Sequence, residues 1–395
     1  MLQYTVLPQS LSYSRVFSVK PTGVISLYSI LSKVSDPRRA QDLRHPLQIV
    51  LTLALLAICC GQVSYQAIAE WVINYQDDLT DQVPFLATHL INASTFQRVF
   101  SSIDVSELEQ ILGRWLQIIV PLGKDEPIAL DGKTLSGVDC HLLSAFAHQA
   151  LGILFEVGTE TKGKEIPLAH DLLAQIPVKN HIITADALHT QRKFGQKVTT
   201  LGGGYCLTVK GNQEQLEQDL RLFFQELPWK ANTTTTSKTS RSKGKLTTHT
   251  IVVSKDLVEY LDWPGLTHTW QLTREVTHIK TGKTTAEVVV GIARLLDLDK
   301  PEQQNEHELA TQIIDLVRGH WSIENRLHRQ RDVIFLEDRS TIRTKNAPQV
   351  MACLKNLVIS LYHKFSVRYF PTAFRKFLAS PEELFDLLGL TNVAI

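Results

Sequence analysis

Three acids in this 395-residue chain stand apart by where they fall in its hydropathy pattern. Asp131 closes the short apolar run Ile128-Ala129-Leu130, and Asp186 closes His181-Ile182-Ile183-Thr184-Ala185. Glu324 lies inside a long amphipathic segment beside Trp321 and Ile323. Short apolar runs bounded by turn residues read as buried strands. In an open α/β sheet, functional side chains collect beyond strand carboxyl ends, so two such aspartates can face one spot. Three carboxylates converging there form a hard, all-oxygen, negative site suited to Mg²⁺. Two such ions about 4 Å apart activate an attacking water or 3′-hydroxyl and neutralise a departing oxygen, the two-metal route to in-line phosphodiester displacement. Each acid also has a plainer reading: Asp131-Gly132 as a turn pair, Asp186 as a helix cap, Glu324 as an exposed helical charge. Residue type and spacing alone leave these alternatives open.

The elements that must position these acids follow from periodicity. From about Leu27 to Val120 the pattern is helical, with an apolar run over 47–60 that ends at Gly61, a plausible C-cap. Ser64 to Tyr75 and Thr95 to Phe100 give two further helices, and Ser106-Glu107-Leu108-Glu109 fits a capping box opening a helix to Val120. Asn92 to Trp115 is compatible with a helix-turn-helix reader of DNA, though helix pairs are common. Beyond Pro127, short runs at Ile128–Leu130, His141–His148 and Ile153–Glu160 predict a three-strand meander. A helix over Glu165–Ile176, the strand ending at Asp186, a helix from Thr190, the strand Tyr205–Val209 and the helix Asn212–Leu227 follow. That order describes a mixed α/β sheet rather than an all-parallel one. Residues 229–250, with four consecutive Thr, break the pattern, and three β-rich runs follow at Leu246–Val253, Trp270–His278 and Thr285–Ala293. Helix resumes near Glu306 and runs through Glu324 to His328; a last helical region spans Asn346–Phe365, with Pro371 breaking it before a tail.

Composition narrows the class. At roughly 150 residues per domain the length allows two to three domains. Hydrophobic residues make up 44% and charged residues 21%, the balance of a globular chain and not of a disordered one. Forty-one Lys and Arg against 40 Asp and Glu leave a net charge of +1, so a nucleic-acid partner must be argued from local patches. The five cysteines include no C-x-x-C, which argues against a zinc site or disulfide framework and points to a reducing, cytoplasmic setting. The longest apolar run is too short to span a bilayer, so no membrane association is expected.

Several motifs carry a resemblance. Ile128-Ala-Leu-Asp131-Gly-Lys-Thr-Leu-Ser-Gly137, His141-Leu-Leu-Ser-Ala-Phe146, Thr184-Ala-Asp186-Ala and Tyr205-Cys-Leu-Thr-Val-Lys-Gly-Asn-Gln213 resemble the H-repeat-associated family of insertion-sequence transposases. So do His320-Trp-Ser-Ile-Glu-Asn-Arg-Leu-His328 and Asp332-Val-Ile-Phe-Leu-Glu-Asp338, while Asp36-Pro-Arg-Arg39 and the apolar run after it look like that family's associated N-terminal domain. The matches run in order from about residue 27 to 360.

The resemblance implies a DDE transposase with a ribonuclease-H-like core: a three-strand meander plus two further strands, flanking helices, a β-rich insertion and a helical N-terminal domain. It carries the catalytic and metal-ligating triad onto Asp131, Asp186 and Glu324, separated by 55 and 138 positions. The cofactor it implies is Mg²⁺, with Mn²⁺ as substitute. The partners are DNA, as inverted-repeat element ends and as target, and a second copy of the chain when two ends are synapsed. Lys133, Lys210, Asn212, His320 and Arg331 are candidate DNA contacts. The wider group with a Tyr-Arg-Glu-Lys signature has those residues seven and four before and seven after the Glu; this chain has Val317, His320 and Arg331. His320 and Arg331 keep a phosphate-binding capacity that Val317 lacks. Two further departures are His328-Arg329 where the family has His-Trp, and Val288 near a usual tyrosine. Trp321 is read as core or as a platform for a displaced base. Lys230–Lys245 and the span Arg318–Lys345 are basic patches for phosphate.

The expected domains are an irregular tail (1–26), a helical N-terminal domain with a role in end binding (27–122), the first part of the core (123–228), a β-rich insertion (229–300), the Glu-bearing completion of the core (301–365) and a C-terminal tail (366–395). The alternatives are a decayed transposase that only binds DNA, and a non-mobile metal-dependent nuclease.

Overall fold

The computed structural model describes residues 26–39, 43–82, 91–159, 164–226, 231–296 and 305–388. The expected N-terminal tail therefore lies almost wholly outside the described residues, as do Lys230 and the last residues of the expected C-terminal tail.

Among the described residues, six helices come first: α1 (Leu27–Leu31), α2 (Leu47–Cys59), α3 (Tyr65–Asn74), α4 (Gln76–Gln82), α5 (Ala93–Ser102) and α6 (Val105–Ile119). Twelve of the thirteen residues of α2 are buried. A helix apolar on all sides needs cover on all sides, and α1, α3, α5 and three C-terminal helices described below supply it. Gly61 follows α2 at φ +81, a left-handed conformation that favours glycine. Ser64 and Asn92 cap α3 and α5 by accepting from Ala67 N and Thr95 N. The cap of α6 differs from the expected capping box: Asp104 accepts from Glu107 N, while the Glu107 carboxylate accepts from Ser35 N and Oγ. Helix α6 packs its buried face against the sheet and a long helix near the C-terminus, both described below.

Among the described residues the sheet has nine strands: β1 (Ile128–Thr134), β2 (His141–Ala147), β3 (Ile153–Thr159), β4 (Ile182–Ala185), β5 (Gly204–Val209), β6 (Thr233–Ser242), β7 (Lys245–Ser254), β8 (His268–His278) and β9 (Thr284–Arg294). Their order is β3-β2-β1-β4-β5-β9-β8-β7-β6. The meander pairs antiparallel, β1 with β4 and β4 with β5 pair parallel, and β9 runs antiparallel to β5. This is a mixed α/β architecture. Two details depart from the sequence expectation. The Thr-rich stretch is strand β6 and not a break, consistent with the β preference of Thr, and its Lys238 and Arg241 suit an edge strand. The β-rich segment thus has four strands, and β9 joins it to the main sheet.

Helices α7 (Glu165–Gln175), α8 (Arg192–Thr200) and α9 (Glu214–Gln225) pack over one face of the sheet, followed in the chain by the short α10 (Val258–Leu261) and by α11 (Glu306–His320). Helix α12 (Ala347–Lys364) is buried at fifteen of its eighteen residues and lies against α2, α5, α6 and β3. One hydrophobic cluster therefore runs from Leu27 through α2 and α6 to Phe146, Leu327 and α12. Pro371 does not end helical structure. It sits in the first turn of α13 (Phe370–Ala379), where its missing N–H costs nothing, and α14 (Pro381–Leu387) follows.

Candidate active site

The parallel register of β1 and β4 sets the site. Leu130 pairs with Ala185, the last bridge between the two strands, so Asp131 and Asp186 are the next residue on each of two neighbouring parallel strands. Strand β1 continues to Thr134 against β2, with Asp131 opposite Ser144, which removes the turn reading of Asp131-Gly132. Asp186 begins a single 3₁₀ turn but makes no side-chain capping bond, and its buried Oδ1 has no hydrogen-bond partner. The capping reading of Asp186 goes as well.

Glu324 comes from the other end of the chain. Helix α11 stops at His320, and two π-helical turns, Glu324–His328 and Gln330–Ile334, carry the backbone onward. Such widened turns are rare and occur often at functional sites. They bring Glu324 and His328 to Asp131: His328 Nδ1 lies 3.5 Å from Asp131 Oδ2 and 3.8 Å from Glu324 Oε2. One donor atom from each of the three residues falls within 4.8 Å of the others. Glu324 keeps a side chain 65% exposed, whereas His328 is buried.

The electrostatics are those of crowded carboxylates. Burial, then the charges of Glu324 and Asp186, push Asp131 up to about 8, against one lowering hydrogen bond from Gly132 N. His328 is pushed down to about 3 by burial and then by Arg331 and Lys133, so its ring is neutral. A carboxylate that resists ionisation beside two others, with a buried unpartnered Asp186 oxygen and a neutral imidazole, is a donor set that fits a divalent cation.

Around this centre the expected DNA contacts separate. Lys133 Nζ forms a 2.6 Å ion pair with Asp332 Oδ1 and is only 10% exposed. Lys210 is exposed on the turn after β5. Asn212 donates its amide N–H to Ala187 O, tying that turn to the one that follows Asp186. His320 Nδ1 is 3.0 Å from Thr184 Oγ1, whose other neighbour is His148 Nε2 at 3.0 Å. Burial pushes His320 down to about 4 despite the raising effect of Asp186, so it offers a neutral ring and no charge to phosphate.

Arg331 requires a correction. It is fully buried, its Nε donates to Glu337 Oε2 at 2.7 Å and a terminal nitrogen to Glu156 Oε2 at 2.9 Å. Lys355 Nζ lies 3.6 Å from Glu337 Oε1, and Ser144 Oγ donates to Glu156. The guanidinium is committed to two carboxylates and presents nothing to a phosphate. The network joins the second π turn to β2, β3 and α12, and β2 is the strand opposite Asp131. Of the two readings of Trp321, the core one falls: 45% exposed, it lies outside the core with the Arg274 guanidinium 5.1 Å from its ring.

His328, Glu156 and Glu337 are the site residues that sequence reasoning passed over. For His328 the signal is the four-residue spacing from Glu324; Glu156 and Glu337 carry no local signal, because only the fold pairs them with Arg331. A cleft of about 1100 Å³ opens between the β-rich segment, the Glu324-bearing turns and the start of α13. Its walls hold Lys243, Arg274, Arg318, Arg326, Arg329 and Arg368 against one acid, Glu287.

Comparison with known proteins adds to this geometry. A family model described as "Transposase DDE domain" matches residues 123–361, and one described as "DDE_Tnp_1-associated" matches residues 28–116. The chain is similar to the "Putative transposase YncI" of Escherichia coli O157:H7, 28% identical over 86% of this chain and 87% of that one. It is similar also to the "H repeat-associated putative transposase YhhI" of Escherichia coli K12, 25% identical over 84% of this chain and 88% of the relative. Among the described residues, no helix is long and apolar enough to cross a membrane.

Proposed function

The chain belongs to the transposase DDE domain family, and on that premise we propose that it binds the inverted-repeat ends of an insertion sequence and catalyses Mg²⁺-dependent cleavage and strand transfer by in-line phosphodiester displacement. The family makes it a DNA-cleaving enzyme with DNA as partner and a divalent-metal requirement. The element ends, the choice of Mg²⁺, with Mn²⁺ as substitute, a ribonuclease-H-like core, a homodimer on synapsed DNA and a cytoplasmic setting are the finer parts of the proposal. So is the domain scheme, with the first helical domain contributing to end binding.

The observation that carries this reading is the pairing of Leu130 with Ala185, after which Asp131 and Asp186 follow where the β1–β4 pairing ends, with Glu324 close enough to raise the pKa of Asp131. We assign Asp131, Asp186 and Glu324 as the carboxylates that hold the ions. When bound, a pair of divalent ions supplies activation of the attacking water or 3′-hydroxyl and charge neutralisation at the departing oxygen. The protein's own part is to fix the carboxylates: the β1–β2 pairing holds Asp131, the Asn212 bond to Ala187 holds the turn beyond Asp186, and the buried Arg331 network anchors the turns that carry Glu324. Six Lys or Arg against one acid make the neighbouring cleft a track for a phosphate backbone, and exposed Lys210 extends the basic surface.

The test is incubation of purified protein with end-containing DNA and Mg²⁺. Joined products are expected from the wild type; Asp131→Asn should abolish cleavage while a gel shift with the same DNA persists. Cut products without joining would replace the transposase reading with a nuclease, and a shifted band without cleavage would reduce the chain to a binding protein. Normal cutting by Asp131→Asn would remove the site assignment.

A further inference from the structure

His328 stands apart among the buried histidines near the site. Its side chain is 5% exposed, its Nε2 is buried without a hydrogen-bond partner, and its Nδ1 faces only carboxylate oxygens. The contacts, 3.5 Å to Asp131 Oδ2 and 3.8 Å to Glu324 Oε2, are longer than the roughly 2.7–3.2 Å of an N–H···O hydrogen bond. A histidine kept for packing normally finds a partner for its polar atoms. The nitrogen that lies between the two acids is Nδ1, and neither of its contacts has the length of an ordinary hydrogen bond.

Those distances suit a different arrangement. Ligands sharing one small divalent ion, each bound at about 2.1 Å, lie roughly 3.0–4.2 Å apart depending on the angle between them. Both contacts of Nδ1 fall in that span. His328 sits four residues after Glu324, so one π turn delivers both side chains to Asp131 from the same segment.

We propose that His328 supplies Nδ1 as a direct ligand to the cation held by Asp131 and Glu324, making that position a mixed oxygen–nitrogen site. The proposal rests on the metal-site reading above. An all-oxygen set favours Mg²⁺, whereas an imidazole shifts preference toward first-row transition ions. The position shared by Asp131, Glu324 and His328 therefore binds Mn²⁺ more tightly than Mg²⁺, and the imidazole is the reason.

The experiment uses the full-length protein without DNA and Mn²⁺ as the probe. Pulsed electron paramagnetic resonance should show nitrogen coupling to bound Mn²⁺. Titration should give a dissociation constant that rises about tenfold in His328→Gln and a Mg²⁺ competition constant that moves less than threefold. In His328→Gln the nitrogen coupling should vanish with some Mn²⁺ still bound, and in His320→Gln and in His189→Gln it should persist, which excludes two other imidazoles near Asp186. Labelling the histidines with ¹⁵N should change the coupling in the wild type, so the readout survives if a variant fails to fold. Mn²⁺ binding that is lost in Asp131→Asn but shows no nitrogen coupling in the wild type overturns the ligand role of His328 and leaves the carboxylate site standing. Absence of any Asp131-dependent Mn²⁺ binding overturns both.

Discussion

Lys133 and Asp332 are joined by a 2.6 Å ion pair that fastens strand β1, two residues past Asp131, to the second π turn, eight residues past Glu324. The lysine is therefore part of the clamp that holds the strand-borne and helix-borne acids together, and its charge is already neutralised. Lys133→Met and Asp332→Asn should each lower stability by about 1 kcal/mol, with a coupling of about 0.5–1 kcal/mol in the double variant, the Asp332 side being partly solvated. Urea unfolding measures this. The salt dependence of DNA binding should be the same in Lys133→Met as in the wild type; a shallower slope would return Lys133 to the phosphate-contacting set.

Asp131 makes the metal-free protein sensitive to pH in an unusual direction. Its folded-state value of about 8 lies above the 3.8 expected of a free aspartate, so between those limits the folded form holds a proton that the unfolded chain has released. Unfolding then loses a proton, and stability falls as pH rises through about 4 to 8. Thermal melts of the metal-free protein should show a melting temperature that declines across this window, and Asp131→Asn should flatten the decline. A divalent cation should restore the melting temperature at pH 8 in the wild type and not in the variant. A wild-type profile parallel to that of the variant would remove the crowding of Asp131 as a physical fact.

The two aspartates are legible in the sequence because each follows a short apolar run, and the residue after the last buried strand position has few places to go. The Thr-rich stretch is harder. Four threonines between charged residues carry no alternation, and only pairing with β7 along all ten residues makes the strand. Arg331 marks the physical limit of such reading. An arginine near an acidic motif in a linear chain looks like a phosphate ligand, but burial is a property of the packed state. Glu156 and Glu337 become its partners only when β3 and the end of the π segment are brought together. The core reading of Trp321 fails the same way in reverse, since the cleft beside it is lined by residues up to 81 positions upstream and 49 downstream.

Because Arg331, Glu156, Glu337 and Lys355 are all at least nine-tenths buried, breaking the set leaves an unpaired charge in the interior. Arg331→Met should destabilise the protein by about 3–5 kcal/mol. Burial opposes ionisation of Glu337, but Arg331 and Lys355 hold it below the usual carboxylate value, so its contribution is present at neutral pH and lost as pH falls through that lowered value. Arg331→Met should remove this acid limb. Chemical denaturation at pH 7 and at pH 4 separates the cases: a loss of similar size at both would mean that packing alone, not the ion network, accounts for the residue.

Gly319 tests how tightly helix α11 is docked. A Cβ at this position would overlap His148 Nδ1, and His148 shares the Thr184 hydroxyl with His320. Gly319→Ala gains helix propensity, about 1 kcal/mol, yet it must push the helix end away from His148. The expected result is a net loss of about 1–3 kcal/mol, the usual cost of overpacking, and a fall in activity, because the displaced backbone leads directly into Glu324. His148→Ala in the same background should recover part of the stability by opening space for the methyl group. Stabilisation by Gly319→Ala alone would show that the close approach is not a constraint.

The basic cleft makes a quantitative claim about salt. Arg326 and Arg329 extend from the Glu324-bearing segment into a groove where, among the described residues, Glu287 is the one acid, and it is already 3.6 Å from Arg274. Each arginine that neutralises one phosphate contributes about 0.9 to the slope of log affinity against log salt. Replacing both with Gln should therefore reduce that slope by close to 2 and weaken binding most at low salt, with little change in thermal stability, since both residues are exposed. Arg331→Met gives the contrast, because a buried arginine should leave the slope untouched in whatever fraction remains folded. Fluorescence anisotropy with duplex DNA over a range of salt concentrations reads both. If the double variant keeps the wild-type slope, the groove is a charged surface that DNA does not follow, and the phosphate track must run elsewhere on the molecule.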